Sequence, residues 1–351
     1  MNILVLNFFP AFYPATSGGE LRYYNLYNNL SKFHDVTLLS PTYSDSELEC
    51  ITHSTTFREY RIPKEDIFNT LHMEMDTLNI CTEISALVCA LSAEYPNKYH
   101  EYYNILYKSA DIIIHEFPYM LNYDIYFGFD DKPRIYNSHN CESKLVEQMW
   151  SGEHSKQYID FIYGLERKLC EGSDLVFATC QEEKESFINE FNLCRDKVIL
   201  APNGVNQNEY VNNASLANKA FFIGSGHPPN LEAVEYIINV LANKTKEVEF
   251  HIAGSCCNWV KNKKLPSNII LHGIVSDDEK RDLFNTAGIA INPMFSGAGT
   301  NLKTLEFLSS GVPMISTPVG VRGIQLKDGV HFLLANSDDF SDKIRHLLAD
   351  I

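Results

Sequence analysis

The chain lacks a long apolar run. Its opening strand-like segment, Ile3–Leu6, is cut off by Asn7 and by the prolines that follow, which is too short for a signal peptide or a membrane span. It also lacks an excess of positive charge. A net charge of −16 argues against nucleic acid as the main partner and against whole-surface attraction to anionic lipid. Cysteine occurs without pattern. The nine residues are odd in number, none shows zinc-site spacing, and Cys256 and Cys257 are adjacent, a poor geometry for an ordinary bridge. A reducing cytosol is the simple reading, with peripheral contact at the inner face of a membrane left open. No G-x-G-x-x-G follows the first strand; in Gly224-Ser225-Gly226 the third glycine position is taken by Pro229, so neither loop carries the dinucleotide fingerprint.

What is present is ordinary for a soluble two-domain protein: 351 residues, 45% apolar and 21% charged. One stretch organises the rest. Phe295–Thr317 reads as turn, helix, turn, strand. Gly297 and Gly299 let backbone approach a ligand closely. Thr300 is the expected N-cap of a helix through about Ser310, Gly311 stops it, and Val312–Ser316 reads as a buried strand. Asn301 opens the helix, Lys303 adds a cation in its first turn, and Glu306 lies one turn further on. A glycine turn before a helix N-terminus is a natural anion site, and Glu306 is placed to accept hydrogen bonds from a ribose diol. The plain alternative is a capped surface helix with one Lys–Glu pair.

In chain order, Ile3–Leu6, a loop ending in Gly18-Gly19, and a helix Glu20–Leu30 with Leu21, Tyr24, Leu26, Tyr27 and Leu30 on its apolar face form a Rossmann-type opening. Strands are expected at Val36–Ser40, Phe57–Ile62, Asp111–His115, Arg134–Ser138, Asp174–Thr179 and Lys197–Leu200. Lys64–Lys108 reads as helical and tyrosine-rich, either a core edge or a sugar- or lipid-contacting surface, and Glu142–Glu171 as one long helix. His115, Glu116 and His139 fall at strand ends, where α/β proteins keep ligands. Pro202, Asn203 and Gly204 are turn chemistry leading into a weakly patterned linker. The pattern restarts with strands at Phe221, Val248–Ala253, Asn268–Leu271, Gly288–Asn292, Val312–Ser316 and Val330–Leu334, alternating with helices. The expected organisation is a Rossmann-like domain at 1–200, a linker at 201–218 and a second Rossmann-like domain at 219–351.

Several ordered pieces carry a resemblance: S-G-G-E-L-R after strand 1, Y-N-S-H-N-C-E-S, L-A-P-N-G-V-N, F-I-G-S-G-H-P-P-N-L-E-A-V, L-H-G-I-V-S-D and G-A-G-T-N-L-K-T-L-E-F-L-S-S-G-V-P-M-I-S-T. Together the chain resembles glycosyltransferase family 4, retaining enzymes with two Rossmann-like domains facing across a cleft (the GT-B fold). The resemblance implies a nucleotide-diphosphate sugar in the second domain and a glycan, lipid-linked or protein acceptor in the first. It implies that Glu306 binds ribose, that Gly299, Thr300 and Asn301 meet the diphosphate or sugar, and that Gly273, Ile274 and Val275 line the base pocket. Gly18 and Gly19 would approach the phosphates, and His139 the transferred sugar. Glu116, Asn203, Ser225 and His227 are further candidates. Two departures stand out. Ala298 occupies the place of the family's first Glu, and the G-S-G-H-P-P-N loop has no Arg or Lys, leaving Lys303 as the obvious cation, with His227 able to assist. No D-x-D-type acidic pair stands where a metal would hold a diphosphate, so neither metal nor cofactor is expected. Family members usually continue into a closing helix that crosses back to the first domain; here the chain ends at Ile351, and looser domain coupling is the expectation. A catalytically silent partner subunit, a nucleotide-sugar epimerase or hydrolase, and an oxidoreductase are the rival readings.

Overall fold

The computed structural model describes residues 1–13, 15, 17–78, 80, 84–206, 218–297 and 299–349. The chain divides into two compact units. One comprises Met1–Ala15 with Gly19–Pro202, the other Thr16–Gly18 with Asn203–Ile351. Both are α/β, each built on a sheet whose central strands are short apolar runs.

The first unit carries an eight-stranded sheet. Its strands are β1 (Asn2–Leu6), β2 (Asp35–Thr42), β3 (Glu49–Ser54), β4 (Phe57–Pro63), β5 (Ile112–His115), β6 (Arg134–Asn137), β7 (Leu175–Ala178) and β8 (Val198–Leu200), in the spatial order β3-β4-β2-β1-β5-β6-β7-β8. All neighbours run parallel except the β3–β4 pair. The antiparallel β3 is absent from the sequence reading: its alternately exposed E-C-I-T-H-S has none of the continuous apolar signal of a strand covered on both faces. Helix α1 (Gly18–Leu30) takes both glycines into its first turn, and it buries Arg22, Tyr23 and Tyr27 while Leu26 is exposed. Its inward face is therefore rotated from the leucine stripe expected.

The Lys64–Lys108 stretch holds three helices, α2 (Asp66–Thr77), α3 (Ser85–Ser92) and α4 (Lys98–Ser109). Tyr99, Tyr103 and Tyr107 are buried, so these rings are core rather than a sugar- or lipid-contacting surface. After α5 (Leu121–Phe127), the long helix expected from Glu142 is two, α6 (Glu142–Met149) and α7 (Ser155–Gly172). Gly152 separates them at φ 125, a conformation no helix contains. Helix α8 (Gln181–Phe191) completes the unit.

The second unit carries a parallel six-stranded sheet: β9 (Lys219–Ile223), β10 (Glu249–Ala253), β11 (Ile269–Gly273), β12 (Ile289–Asn292), β13 (Met314–Ser316) and β14 (Leu333–Leu334), ordered β11-β10-β9-β12-β13-β14. Between them run α9 (Pro228–Tyr236), a π turn at Ile237–Leu241, α10 (Ala242–Lys244), α11 (Cys257–Val260), α12 (Asp277–Thr286) and α13 (Leu302–Ser310), and α14 (Phe340–Ala349) follows the last strand. Ser276 and Glu279 form a reciprocal capping box at the start of α12. In each sheet the first strand lies beside two strands whose connections leave in opposite directions. These switch points, β1/β5 and β9/β12, are where open α/β sheets leave a crevice for ligands. No described helix is long and apolar enough to cross a membrane.

A buried pair of carboxyl groups makes the first unit pH-sensitive. Glu166 accepts from the Glu142 and Ser143 amides (2.8 and 2.7 Å) and from Tyr136 Oη (2.8 Å). Glu142 accepts from Tyr119 Oη (2.8 Å). Burial, reinforced by the nearby Glu166 charge, pushes Glu142 up to about 8. A folded-state value above the unfolded one means that the folded protein holds an extra proton between the two, so stability is lost as pH rises through that window. Glu142→Gln, which keeps the shape without the charge, is expected to flatten the fall in urea midpoint between mildly acidic and mildly alkaline buffer. An unchanged pH slope would contradict this.

Candidate functional site

Two clusters of polar side chains sit at the two switch points. In the first unit, β5 delivers Glu116 just past its end and β6 delivers Asn137 and His139. His139 Nε2 lies 2.7 Å from Glu116 Oε2. Asn137 Nδ2 donates to Glu116 Oε1 at 2.7 Å, and Tyr27 Oη donates to the same oxygen. Arg22 Nη2 donates to Asn137 Oδ1 and to the Ala201 carbonyl, both at 3.1 Å. Glu116 is fully buried, and a buried carboxylate needs this set of donors. The bond to Glu116 puts the His139 proton on Nε2, which leaves Nδ1 as an acceptor; a Cβ on Gly19 would fall 3.8 Å from that Nδ1. Phe117 packs on the imidazole with ring centroids 4.5 Å apart. Burial lowers the His139 pKa, Glu116 opposing and Arg22 adding to the shift. A neutral, oriented imidazole follows, suited to a hydroxyl or a developing partial positive charge.

In the second unit the loops after β9, β10 and β11 are stitched together through glycines. Gly254 N–H donates to the Gly273 carbonyl at 2.6 Å and Gly224 N–H to the Ala253 carbonyl at 3.1 Å. A Cβ on Gly254 would meet the Gly224 carbonyl oxygen at 2.2 Å, so backbone fills the space a side chain would need. Next to them stands α13. Its N-cap is Asn301, with no side-chain cap bond, rather than Thr300. Thr300 Oγ1 is buried and has no hydrogen-bond partner among the described residues. Gly311 closes the helix at φ 69, as its position after the leucine stripe implies. The strand after it begins at Met314, not Val312.

Three anchors fix α13. Asn292 Nδ2, at the end of β12, donates to Thr304 Oγ1 and to the Gly320 carbonyl, both at 3.0 Å. Thr304 Oγ1 donates to the same carbonyl at 2.6 Å. A Cβ on Gly320 would fall 2.3 Å from Ser316 Oγ and 2.7 Å from Asn292 Nδ2, so no other residue fits there without displacing Ser316 or Asn292.

Lys303 does not stand out as a bare cation. Its Nζ donates to Asn230 Oδ1 at 2.6 Å and lies 4.3 Å from the Phe222 ring centroid. The residue is only partly buried overall, but its ammonium end is enclosed, and burial pulls its pKa down to about 7. Glu306 is buried and paired with Lys280 of α12. Arg322 Nε donates to the Gly299 carbonyl at 2.7 Å. Asn230, Lys280 and Arg322 are the polar residues of this site that the sequence reading missed.

The other candidates fall as follows. Gly273 takes φ 70 at the end of β11, Ile274 is exposed, and Val275 packs against the cluster around Phe221 and Phe284. Ser225 Oγ accepts from Asn230 Nδ2 at 3.2 Å. His227 is the exposed N-cap residue of α9. Gly297 and Gly299 take φ 117 and 65. Asn203 opens the second unit's long segment, and Gly18 groups with that unit although it heads α1. Ala298 and most of the expected linker, 207–217, lie outside the described residues. The structure thus gathers Ser225, Gly273, Gly297, Gly299, Thr300, Asn301, Lys303 and Glu306 at the strand ends of the second unit, and Glu116 and His139 at those of the first. No three His, Cys, Asp or Glu side chains among the described residues group as metal ligands.

The orienting role of Glu116 is measurable. Its charge supports the protonated imidazole, so Glu116→Gln is expected to move the His139 titration, followed by its ring C–H resonance in NMR, to still lower pH. An unmoved titration would mean that the pair is not coupled.

Comparisons with known proteins bear on this geometry. Residues 217–350 match the family model described as glycosyl transferases group 1. Among curated proteins the chain is similar to an uncharacterized 44.6 kDa protein in the cps region of Klebsiella pneumoniae, 25% identical over 122 residues, 32% of this chain and 31% of that protein. The match thus spans about a third of that relative's length. Among solved structures it is similar to sucrose-phosphate synthase from Thermosynechococcus elongatus, with 15% identity and a TM-score of 0.72 over 99% of this chain and 90% of the other. It is similar also to Anabaena HepE, solved with UDP and glucose, with 14% identity and a TM-score of 0.65 over 99% and 90%. At these identities the structural likeness establishes a shared fold.

Proposed function

We propose that this chain, whose residues 217–350 match the glycosyl transferases group 1 model and whose fold is similar to that of sucrose-phosphate synthase, is a glycosyltransferase that moves a sugar from a nucleoside-diphosphate sugar to a hydroxyl of a glycan, glycolipid or glycoprotein. The single observation that carries the donor assignment is the α13 N-terminus: a positive-φ glycine turn, a lysine in the first turn and a buried glutamate one turn on, pinned beside the β9/β12 switch point. Helix amides and dipole favour an anion there. Charge grows on the leaving diphosphate as the bond from the anomeric carbon to its oxygen breaks, and cations placed beforehand stabilise it where it develops. A diphosphate would also restore the charge that burial removes from Lys303.

Retention, independence of metal and a role in surface-polysaccharide assembly belong to the same proposal. In the front-face course, the acceptor oxygen bonds to the anomeric carbon on the side the diphosphate leaves, and the departing phosphate takes the hydroxyl proton. No cofactor enters. The family resemblance supports retention, and the relative named for a cps region supports the polysaccharide setting. His139, oriented by Glu116, is assigned to the sugar undergoing transfer. Ala298 in the place of the family's first Glu favours one second reading, a nucleotide-sugar-binding or partner subunit without turnover.

A thermal-shift panel of UDP, GDP, ADP, TDP and CDP and their sugar conjugates, with and without EDTA, tests this. A ligand that binds only the folded state raises the melting temperature with concentration. One EDTA-resistant shift is expected, with affinity falling about tenfold or more in Glu306→Ala. No shift at millimolar nucleotide would overturn the donor assignment. A shift without sugar transfer to any acceptor would support the silent subunit.

A further inference from the structure

The segment after β13 brings a second cation to the glycine turn. Gly320, locked against Asn292 and Thr304, fixes the path of the chain, and Arg322 follows two residues later. Its Nε donates to the Gly299 carbonyl at 2.7 Å and its Nη1 to the Val319 carbonyl at 3.5 Å. Its Nη2 lies 3.2 Å from where a Cβ on Gly297 would stand. The guanidinium therefore lies directly over the turn that precedes α13. Gly297, at φ 117, leaves it that room; a side chain there would be strained by its backbone and crowded by the arginine.

Charge makes this placement informative. The Gly224–Asn230 loop, whose Pro229 also comes within 3.5 Å of where a Cβ on Gly297 would stand, contains no arginine or lysine. Lys303 turns its ammonium toward Asn230 and the Phe222 ring, and Lys280 is committed to Glu306. Arginine keeps its charge at every physiological pH and presents a planar fork of N–H donors that matches phosphoryl oxygens, which a lysine does not. We propose that Arg322 is the permanent cation of the nucleoside-diphosphate subsite: it holds the Gly297–Gly299 turn through the Gly299 carbonyl and pairs its guanidinium with the phosphoryl oxygens of the donor. The inference rests on the donor assignment of residues 295–306, and it names a diphosphate contact that neither motif nor spacing marks.

The test is isothermal titration of the full chain with the five nucleoside diphosphates above and their matching monophosphates, in wild type, Arg322→Gln and Arg322→Lys. Arg322→Gln is expected to cut the preference for diphosphate over monophosphate about tenfold, as expected for one charge-assisted contact, with Arg322→Lys in between. Wild-type binding with that preference unchanged in Arg322→Gln overturns the inference and leaves the donor site standing. Wild type binding none of the nucleotides overturns both. If Arg322→Gln melts early without ligand, Arg322→Lys decides. A reduced diphosphate preference at an unchanged melting temperature supports the contact. Equal loss for diphosphate and monophosphate makes the arginine a scaffold and overturns it.

Discussion

The side-chain amide of Asn292 holds the second unit's chemistry in place. It sits at the end of a fully buried strand and donates to both Thr304 and the Gly320 carbonyl. A buried polar group left unpaired costs about 1–3 kcal/mol, so the two donations from Asn292 Nδ2 favour this arrangement. That arrangement sets where α13 begins, and with it the positions of Lys303, Glu306 and the glycine turn. It also brings Arg322 to the same turn. Thr317, whose hydroxyl donates to the Met294 carbonyl, ties the neighbouring loop in the same way. The site is thus assembled from loops held by strand ends, which is how α/β sheets combine a rigid frame with variable chemistry.

The two units treat charge differently. In the first, Glu116 gathers Tyr27, Asn137 and His139, and the result is one oriented, neutral imidazole. In the second, the cations are arranged in tiers. Lys303 is held under an aromatic ring where its charge is costly, Lys280 neutralises Glu306, and Arg322 keeps its charge at the turn. Under the proposed donor assignment, an incoming diphosphate would meet a site whose positive charge is partly withheld. Such a site gains most from a ligand that brings the matching negative charge, which favours the diphosphate over less charged fragments of the same donor.

The strands were the legible part of the sequence. Ile3–Leu6, Ile112–Ile114 and Ile289–Ile291 are apolar throughout because both faces of a parallel sheet are covered. The glycine turn, α13 and its Gly311 stop were readable for local reasons: special dihedrals and a short apolar stripe. What failed was decided at long range. The inward face of α1 follows Arg22, whose partners Asn137 and Ala201 lie far along the chain. The break between α6 and α7 is the exception, a local one: Gly152 at φ 125 interrupts the helix. Asn230, Lys280 and Arg322 reach Lys303, Glu306 and Gly299 across separations of 73, 26 and 23 residues, and no local pattern announces such pairs.

The most direct measurement is a crystal structure of the chain with the nucleoside diphosphate that binds it. The donor assignment requires the ribose hydroxyls on Glu306, with the Lys280 contact broken or shared, and the diphosphate against the turn from Gly297 to Lys303. A nucleotide bound elsewhere, or one that leaves the Lys280–Glu306 pair closed and the α13 N-terminus empty, would contradict it.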